Sequence, residues 1–186
     1  RVVGRLESCK MLVIGAGEAG RLVAKAAKER GVSQIAVTSR SQEAASNLAA
    51  ALGGISVNLN NLVDELSTAH IAVTCTGAPY WILDSHCVGE AMMPRLELSL
   101  VIIDIGVPRN VDPAVGQINN VFLYNIDDLI KTSNRNRQQR ESEIQTAMEI
   151  VAAEVDRFSS WWRALEVSPV VSALMSRAED IRCIQF

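Results

Sequence analysis

The feature that most limits what this chain can fold into is a glycine-rich turn between an apolar run and a helical pattern. Met11 to Ile14 are apolar and are typical of a buried strand, and residues 15–20 follow at once as GAGEAG. Residues 18–30 are rich in Ala, Leu, Lys and Glu, and Gly31 follows as a helix stop. This strand–GxGxxG–helix unit is typical of a dinucleotide-binding domain.

Each glycine of the turn has its own physical task. Gly15 permits a tight turn, Gly17 lets the backbone approach a pyrophosphate, and Gly20 allows the helix to pack closely on the strand. The helix N-terminus then offers free N–H groups and the positive end of its dipole to the phosphates. The alternative is a glycine turn that serves structure alone.

Strand and helix patterns alternate up to about residue 131. Predicted strands cover 34–38, 55–57, 70–74, 98–105 and 121–125, and predicted helices cover 42–52 and 60–67. The strands are apolar on both faces, which favours a parallel sheet covered by helices on both sides. We therefore expect an α/β fold, a Rossmann-type doubly wound parallel sheet with cofactor sites at the carboxyl ends of its strands.

The end of the second strand predicts which cofactor binds. NAD-specific domains place Asp or Glu there, about 20 residues past the glycines, whereas this chain has Ser39-Arg40-Ser41. A planar cation and two hydroxyl groups suit the 2′-phosphate of NADPH, unless Arg40 is an ordinary solvated charge. Small residues at 75–79, CTGAP, would let the backbone lie close to a ribose or nicotinamide. The predicted cofactor-binding residues are Gly15, Ala16, Gly17, Glu18, Ala19, Gly20, Ser39, Arg40, Ser41, Thr76, Gly77 and Ala78.

Composition narrows the functional classes. A net charge of −3 and a pI near 5.5 argue against a broad basic surface for nucleic acid, so any RNA is gripped locally or by another part of the protein. No apolar run approaches the roughly 18–20 residues of a membrane span, and we expect a cytoplasmic protein. The four cysteines form no CxxC pair and are expected to be free thiols. Zinc ligation by Cys75, His86 and Cys87 fits no standard spacing, so no metal site is predicted.

A different pattern occupies residues 132–186, which we treat as a second domain after a first at 1–131. Apolar residues recur there at spacings of four and three, which predicts a long helix with one apolar stripe. Pro169 is expected to end or kink it, and 170–184 to start another helix. The helix is either a spine that joins domains or subunits, or a terminal helix folded back onto the sheet. The stripe residues are Ile144, Met148, Val151, Val155, Phe158, Trp162 and Leu165.

Both ends of the chain look cut. The first six residues, RVVGRL, are typical of the last turns of a helix that began upstream, and the C-terminus stops in a helical pattern without a cap. We therefore expect a part of a longer protein.

Six sequence blocks together resemble glutamyl-tRNA reductase. They are VIGAGEAG (13–20), SRS (39–41), CTGAP (75–79), IDIGVPRN (103–110), LYNIDDL (123–129) and SPVVSAL (168–174). The chain departs from the family's common pattern at four of these positions. Cys75 and Ser39 replace Ser and Asn, and Asn110 and Asn125 each replace Asp.

The resemblance implies an oxidoreductase that uses NADPH to reduce glutamyl-tRNA to glutamate-1-semialdehyde, for tetrapyrrole (5-aminolevulinate) biosynthesis. It also implies a homodimer, with tRNA held largely by domains absent from this chain, and an aminomutase partner that takes the aldehyde. The family's nucleophilic cysteine belongs to an N-terminal domain that is not in these residues. No catalytic residue is therefore predicted here, and this chain alone is expected to be inactive.

Three alternatives stay open from the residues themselves. The chain could be the NADP-binding domain of a shikimate- or quinate-type dehydrogenase, which would need a lysine–aspartate pair from a preceding domain. It could also be a non-catalytic nucleotide-sensing domain that dimerises through its helix. Finally, Cys75 could be a nucleophile, although no general base lies near it in sequence.

Overall fold

The computed structural model describes residues 4–95 and 97–184. Within the C-terminal helix, side chains are described at 126–134, 141, 143–163, 172–180 and 182. The chain divides into two compact units, residues 1–131 and residues 132–186.

The first unit is built on one six-stranded sheet in which all paired strands are parallel. The strand order is β3-β2-β1-β4-β5-β6, so the direction of winding reverses between β1 and β4. In such sheets ligands bind outside the carboxyl ends of the strands at the reversal. The strands are β1 (Lys10–Ile14), β2 (Gln34–Thr38), β3 (Ile55–Val57), β4 (Ile71–Thr74), β5 (Leu100–Asp104) and β6 (Val121–Asn125).

Helices connect the strands. Short 3-10 helices lie at Leu6–Ser8, Leu59–Asn61 and Pro113–Gln117. The α-helices are α1 (Glu18–Glu29), α2 (Gln42–Leu52), α3 (Leu62–Thr68), α4 (Ser85–Met92) and α5 (Ile126–Ile184).

Alternate side chains of the strands enter two separate apolar cores. In β1, Leu12 and Ile14 pack into one cluster, and Met11 and Val13 pack into the other. Both faces of the inner strands β1, β2, β4 and β5 are thus buried, which is why these strands are continuous apolar runs instead of alternating ones. The predicted fold class, a Rossmann-type parallel sheet followed by a long helix, is confirmed.

Several predicted boundaries were wrong by one or two residues. The strand predicted at 98–105 spans only Leu100–Asp104, because Leu98 lies in a turn and is 56% exposed. The strand predicted at 70–74 begins at Ile71, and the helix predicted at 60–67 is a 3-10 turn followed by α3. Helix α4 was not predicted at all.

Helix α5 begins earlier than predicted, at Ile126 instead of about residue 132. The reason is a cap: Asn125 Oδ1 accepts hydrogen bonds from the backbone N–H groups of Asp127 (2.9 Å) and Asp128 (3.1 Å). Pro169 was predicted to end or kink the helix, with another helix from residue 170. It does not end the helix, since α5 continues to Ile184.

The apolar stripe of α5 is exposed. Its described members, at positions 144, 148, 151, 155, 158 and 162, are between 54% and 63% exposed. The stripe also includes Leu165, whose side chain is not described. Residues 1–3, part of the predicted N-terminal helical turn, lie outside the described residues. Along the described part of the chain, no helix is long and apolar enough to cross a membrane.

Candidate functional site

A cavity of about 200 Å³ opens at the carboxyl ends of β1, β2 and β4, where the strand order reverses. This is where the doubly wound fold is expected to bind a ligand. Eight of the twelve predicted cofactor-binding residues line it, together with four that were not predicted. The lining residues are Ile14, Gly15, Ala16, Gly17, Ser39, Arg40, Leu59, Cys75, Thr76, Gly77, Ala78 and Ile82.

Two glycines of the turn are required by the packing of the backbone. Gly15 has a φ of 123°, and a Cβ atom there would lie 2.7 Å from the carbonyl oxygen of Cys75. A Cβ atom on Gly20 would lie 2.0 Å from the carbonyl oxygen of Gly15. Neither position can accept a side chain unless the backbone moves, so both glycines hold α1 close to β1 and β4.

Gly17 differs from the other two because its surroundings are open. No heavy atom lies within 4 Å of the position that a Cβ atom would take. Gly17 is also the N-cap residue of α1, and no side chain caps this helix end. Uncapped N–H groups beside open space form a suitable cradle for a pyrophosphate, which can approach only where a side chain is missing.

The β2 side of the cavity carries its positive charge. Ser39 and Arg40 line it directly after β2. Arg40 is exposed and makes no hydrogen bond or ion pair with any residue that the structure describes. Its guanidinium is therefore available to an anionic ligand.

The β4 side is a tight loop of small residues. The Thr76 hydroxyl donates to Asn110 Oδ1 (3.0 Å) and accepts from the backbone N–H of Ala78 (3.2 Å). The loop is thus held by internal hydrogen bonds, and Gly77 has open space around its Cβ position. This arrangement lets a flat group lie against the backbone.

Four predicted residues do not line the cavity. Glu18, Ala19 and Gly20 form the first turn of α1, where their backbone N–H groups are the groups available to a ligand. Ser41 caps α2, since its hydroxyl accepts a hydrogen bond from the backbone N–H of Ala44 at 3.2 Å. The twelve assignments as cofactor contacts remain proposals.

The four lining residues that were not predicted are Ile14, Leu59, Cys75 and Ile82. Ile14 ends β1, and Cys75 directly follows β4. Their places next to the carboxyl ends of strands were a usable signal. Leu59 begins the 3-10 helix that follows β3, and Ile82 lies in the loop before α4, so neither is next to the end of a strand in sequence.

The Cys75 thiol packs against the end of β1 and the start of the glycine turn. This thiol is buried and donates weak hydrogen bonds to the carbonyl oxygens of Ile14 (3.3 Å) and Gly15 (3.4 Å). Burial raises the pKa of the Cys75 thiol to about 11, so the thiol stays protonated at neutral pH. Within the described residues, no group of three or more His, Cys, Asp or Glu could hold a metal ion.

The raised pKa of Cys75 predicts how stability changes with pH. The folded chain binds the thiol proton more tightly than the unfolded chain, whose thiol titrates near the ordinary value of 9.0. The stabilisation is therefore complete below pH 9 and is lost as the pH rises towards 11, by about 1–3 kcal/mol in all. Urea denaturation of the parent and of Cys75→Ser across this range measures it. The parent should lose more stability than the variant, and parallel curves would contradict the assignment.

Comparison with known proteins identifies the family to which the chain belongs. The family described as shikimate / quinate 5-dehydrogenase matches residues 1–132, which is most of the chain. The chain belongs to this family. A second family, the dimerisation domain of glutamyl-tRNA reductase, matches residues 146–185. The first unit of the chain, residues 1–131, has a nicotinamide-dinucleotide-binding fold.

Relatives that are similar in sequence confirm the resemblance of this chain to glutamyl-tRNA reductase. The enzyme of that name from Natranaerobius thermophilus is 36% identical over 98% of this chain, which covers 40% of the relative. The one from Rubrobacter xylanophilus is 40% identical over 97% of this chain and 42% of the relative. The chain thus spans about two fifths of these relatives' length. Because the similarity continues well past residue 132, these relatives match more of the chain than the shikimate / quinate family does.

A solved structure agrees with the sequence relatives. Glutamyl-tRNA reductase from Methanopyrus kandleri superposes with a TM-score of 0.73 at 38% identity. The match covers 78% of this chain and 37% of that one. The shared fold therefore comes with substantial sequence identity.

Proposed function

We propose that this chain is the NADPH-binding part of a glutamyl-tRNA reductase, with a portion of its dimerisation region. The whole enzyme would reduce glutamyl-tRNA to glutamate-1-semialdehyde for tetrapyrrole synthesis. The observation that carries the proposal is the cavity at the strand reversal, which combines an uncapped glycine turn with an unpaired guanidinium and has no carboxylate among its lining residues.

The residues of the cavity fit NADPH part by part. The first turn of α1 would bind the pyrophosphate through its N–H groups, and Gly17 leaves room for it. Arg40, assisted by Ser39 and Ser41, would bind the 2′-phosphate. The loop at 76–78 would lie against the nicotinamide half. NADPH, when bound, supplies the hydride that reduces the acyl group.

The proposed partners are those of the whole enzyme, of which this chain is a part. We propose a homodimer formed through the region that matches the dimerisation domain. Glutamyl-tRNA would be held largely by parts outside this chain, and an aminomutase would take the aldehyde product. A cytoplasmic location is part of this proposal.

Replacing Arg40 tests the cofactor assignment. We expect Arg40→Ala to weaken NADPH binding by about 1–3 kcal/mol, the worth of a charge-assisted hydrogen bond, and to leave NADH binding unchanged. Calorimetric titration of both cofactors measures this. Arg30→Ala is a matched control, because Arg30 is an exposed cation at the far end of α1. Equal losses for NADPH and NADH in Arg40→Ala would overturn the role of Arg40.

A further inference from the structure

We propose that Asn110 is a positioning residue that holds the loop beneath the nicotinamide half of the cofactor. The inference rests on the proposed function, since it concerns the same cavity. Asn110 is 0% exposed and does not itself line the cavity. Its role would be to fix residues that do.

The side chain of Asn110 uses both its acceptor and its donor on this loop. Its Oδ1 accepts from the backbone N–H and the hydroxyl of Thr76, both at 3.0 Å. Its Nδ2 donates to the carbonyl oxygens of Ala78 and Pro108, both at 3.3 Å. The backbone carbonyl of Asn110 accepts from the N–H of Ile82 at 2.7 Å. One buried residue therefore contacts Thr76, Ala78 and Ile82, which all line the cavity.

Asn110 is itself anchored to the sheet. Its backbone N–H donates to Asp104 Oδ2 at 3.0 Å, and Asp104, at the end of β5, is 3% exposed. Asp104 Oδ1 also accepts from the hydroxyl of Thr74, at the end of β4, at 2.7 Å. A Cβ atom on Gly106 would lie 2.2 Å from Asn110 Oδ1, so only glycine leaves room for this side chain. The network ties the ends of two strands to the loop.

The contacts of Asn110 lie on one half of the site only. The sheet reverses between β1 and β4, so the two halves of a dinucleotide lie on opposite sides of that point. Arg40 follows β2 and marks the half that carries the 2′-phosphate. Thr76 and Ala78 follow β4 and mark the other half. Asn110 should therefore affect binding of the nicotinamide half and leave the adenosine half alone.

The experiment separates the two halves with two ligands. The affinity for NADPH depends on the whole site, whereas the affinity for 2′,5′-ADP depends only on the half that binds adenosine and the 2′-phosphate. We expect Asn110→Ala to weaken NADPH binding about tenfold or more, since several buried hydrogen bonds are lost, and to leave 2′,5′-ADP binding unchanged. Asn110→Asp keeps the acceptor for Thr76 and loses the donor, so it should weaken NADPH by a smaller factor. This variant gives the answer if Asn110→Ala does not fold.

A control variant removes buried volume away from the cavity. The control is Val88→Ala, because Val88 lies in α4, is buried, and does not line the cavity. It should lower the melting temperature and leave the dissociation constants of both ligands unchanged. Asn110 variants that weaken both ligands by the same factor, or neither, would overturn the positioning role. A parent chain that binds neither ligand would overturn the proposed function itself.

Discussion

Gly17→Val is expected to abolish NADPH binding and to leave the fold intact. The φ of −77° at Gly17 suits any residue, and its Cβ position has no neighbour within 4 Å. The valine side chain would fill the space that the pyrophosphate needs. If two charge-assisted hydrogen bonds to the helix N-terminus are lost, at about 1.5–3 kcal/mol each, affinity falls more than about 100-fold.

Fluorescence titration with NADPH measures this effect, and thermal unfolding monitors the fold. Valine is a poorer N-cap than glycine, so a stability loss of about 1 kcal/mol is expected. Gly89→Ala is the control, because Gly89 is also free of neighbours within 4 Å but lies in α4, outside the cavity. NADPH binding by Gly17→Val at the parent's affinity would show that the pyrophosphate does not lie at this turn.

Replacing Phe158 and Trp162 together by Ser is expected to turn a self-associating chain into a monomer. Their ring centroids lie 6.1 Å apart, and both side chains are more than half exposed. They lie within the segment that matches the dimerisation domain of glutamyl-tRNA reductase. Exposed apolar stripes of this kind tend to find a partner, here a second copy of the chain. Aromatic anchors of an interface are each worth about 2 kcal/mol or more, so the dissociation constant should rise about 1000-fold.

Sedimentation velocity over a range of concentrations measures this change. Glu149→Ser with Asp156→Ser is the matched control, because both residues are exposed on α5 and lie on the side of the helix away from the stripe. The control should self-associate like the parent. Cofactor binding should be unaffected in both variants, since neither pair lines the cavity. A parent chain that stays monomeric at high concentration would contradict the assignment.

The sheet could be predicted from the sequence because its inner strands β1, β2, β4 and β5 are apolar runs buried on both faces. The predicted bounds of β2, β3 and β6 agree with the structure, and each is a short apolar run with turn residues beside it. Helix α4 was missed because it is short and buries only three residues. A local signal existed: Asp84 caps the helix by accepting a hydrogen bond from the N–H of Cys87 at 2.8 Å.

The site was predictable where it depends on local chain geometry. The turn at 15–20 follows a strand and opens a helix, so its place at the sheet edge follows from its neighbours in sequence. The link from Asn110 to Thr76 joins residues 34 positions apart, and no local pattern carries it. For the same reason Leu59 and Ile82 were not predicted, since only the folded sheet brings them to the cavity.

In the proposed function, this chain holds NADPH through Arg40 and the glycine turn. Parallel titrations of the unmodified chain with NADPH and with NADH test this assignment. We expect NADPH to bind at least about tenfold more tightly than NADH, because the guanidinium meets a phosphate in one cofactor and a hydroxyl in the other. Equal affinity for the two cofactors, or tighter binding of NADH, would contradict it.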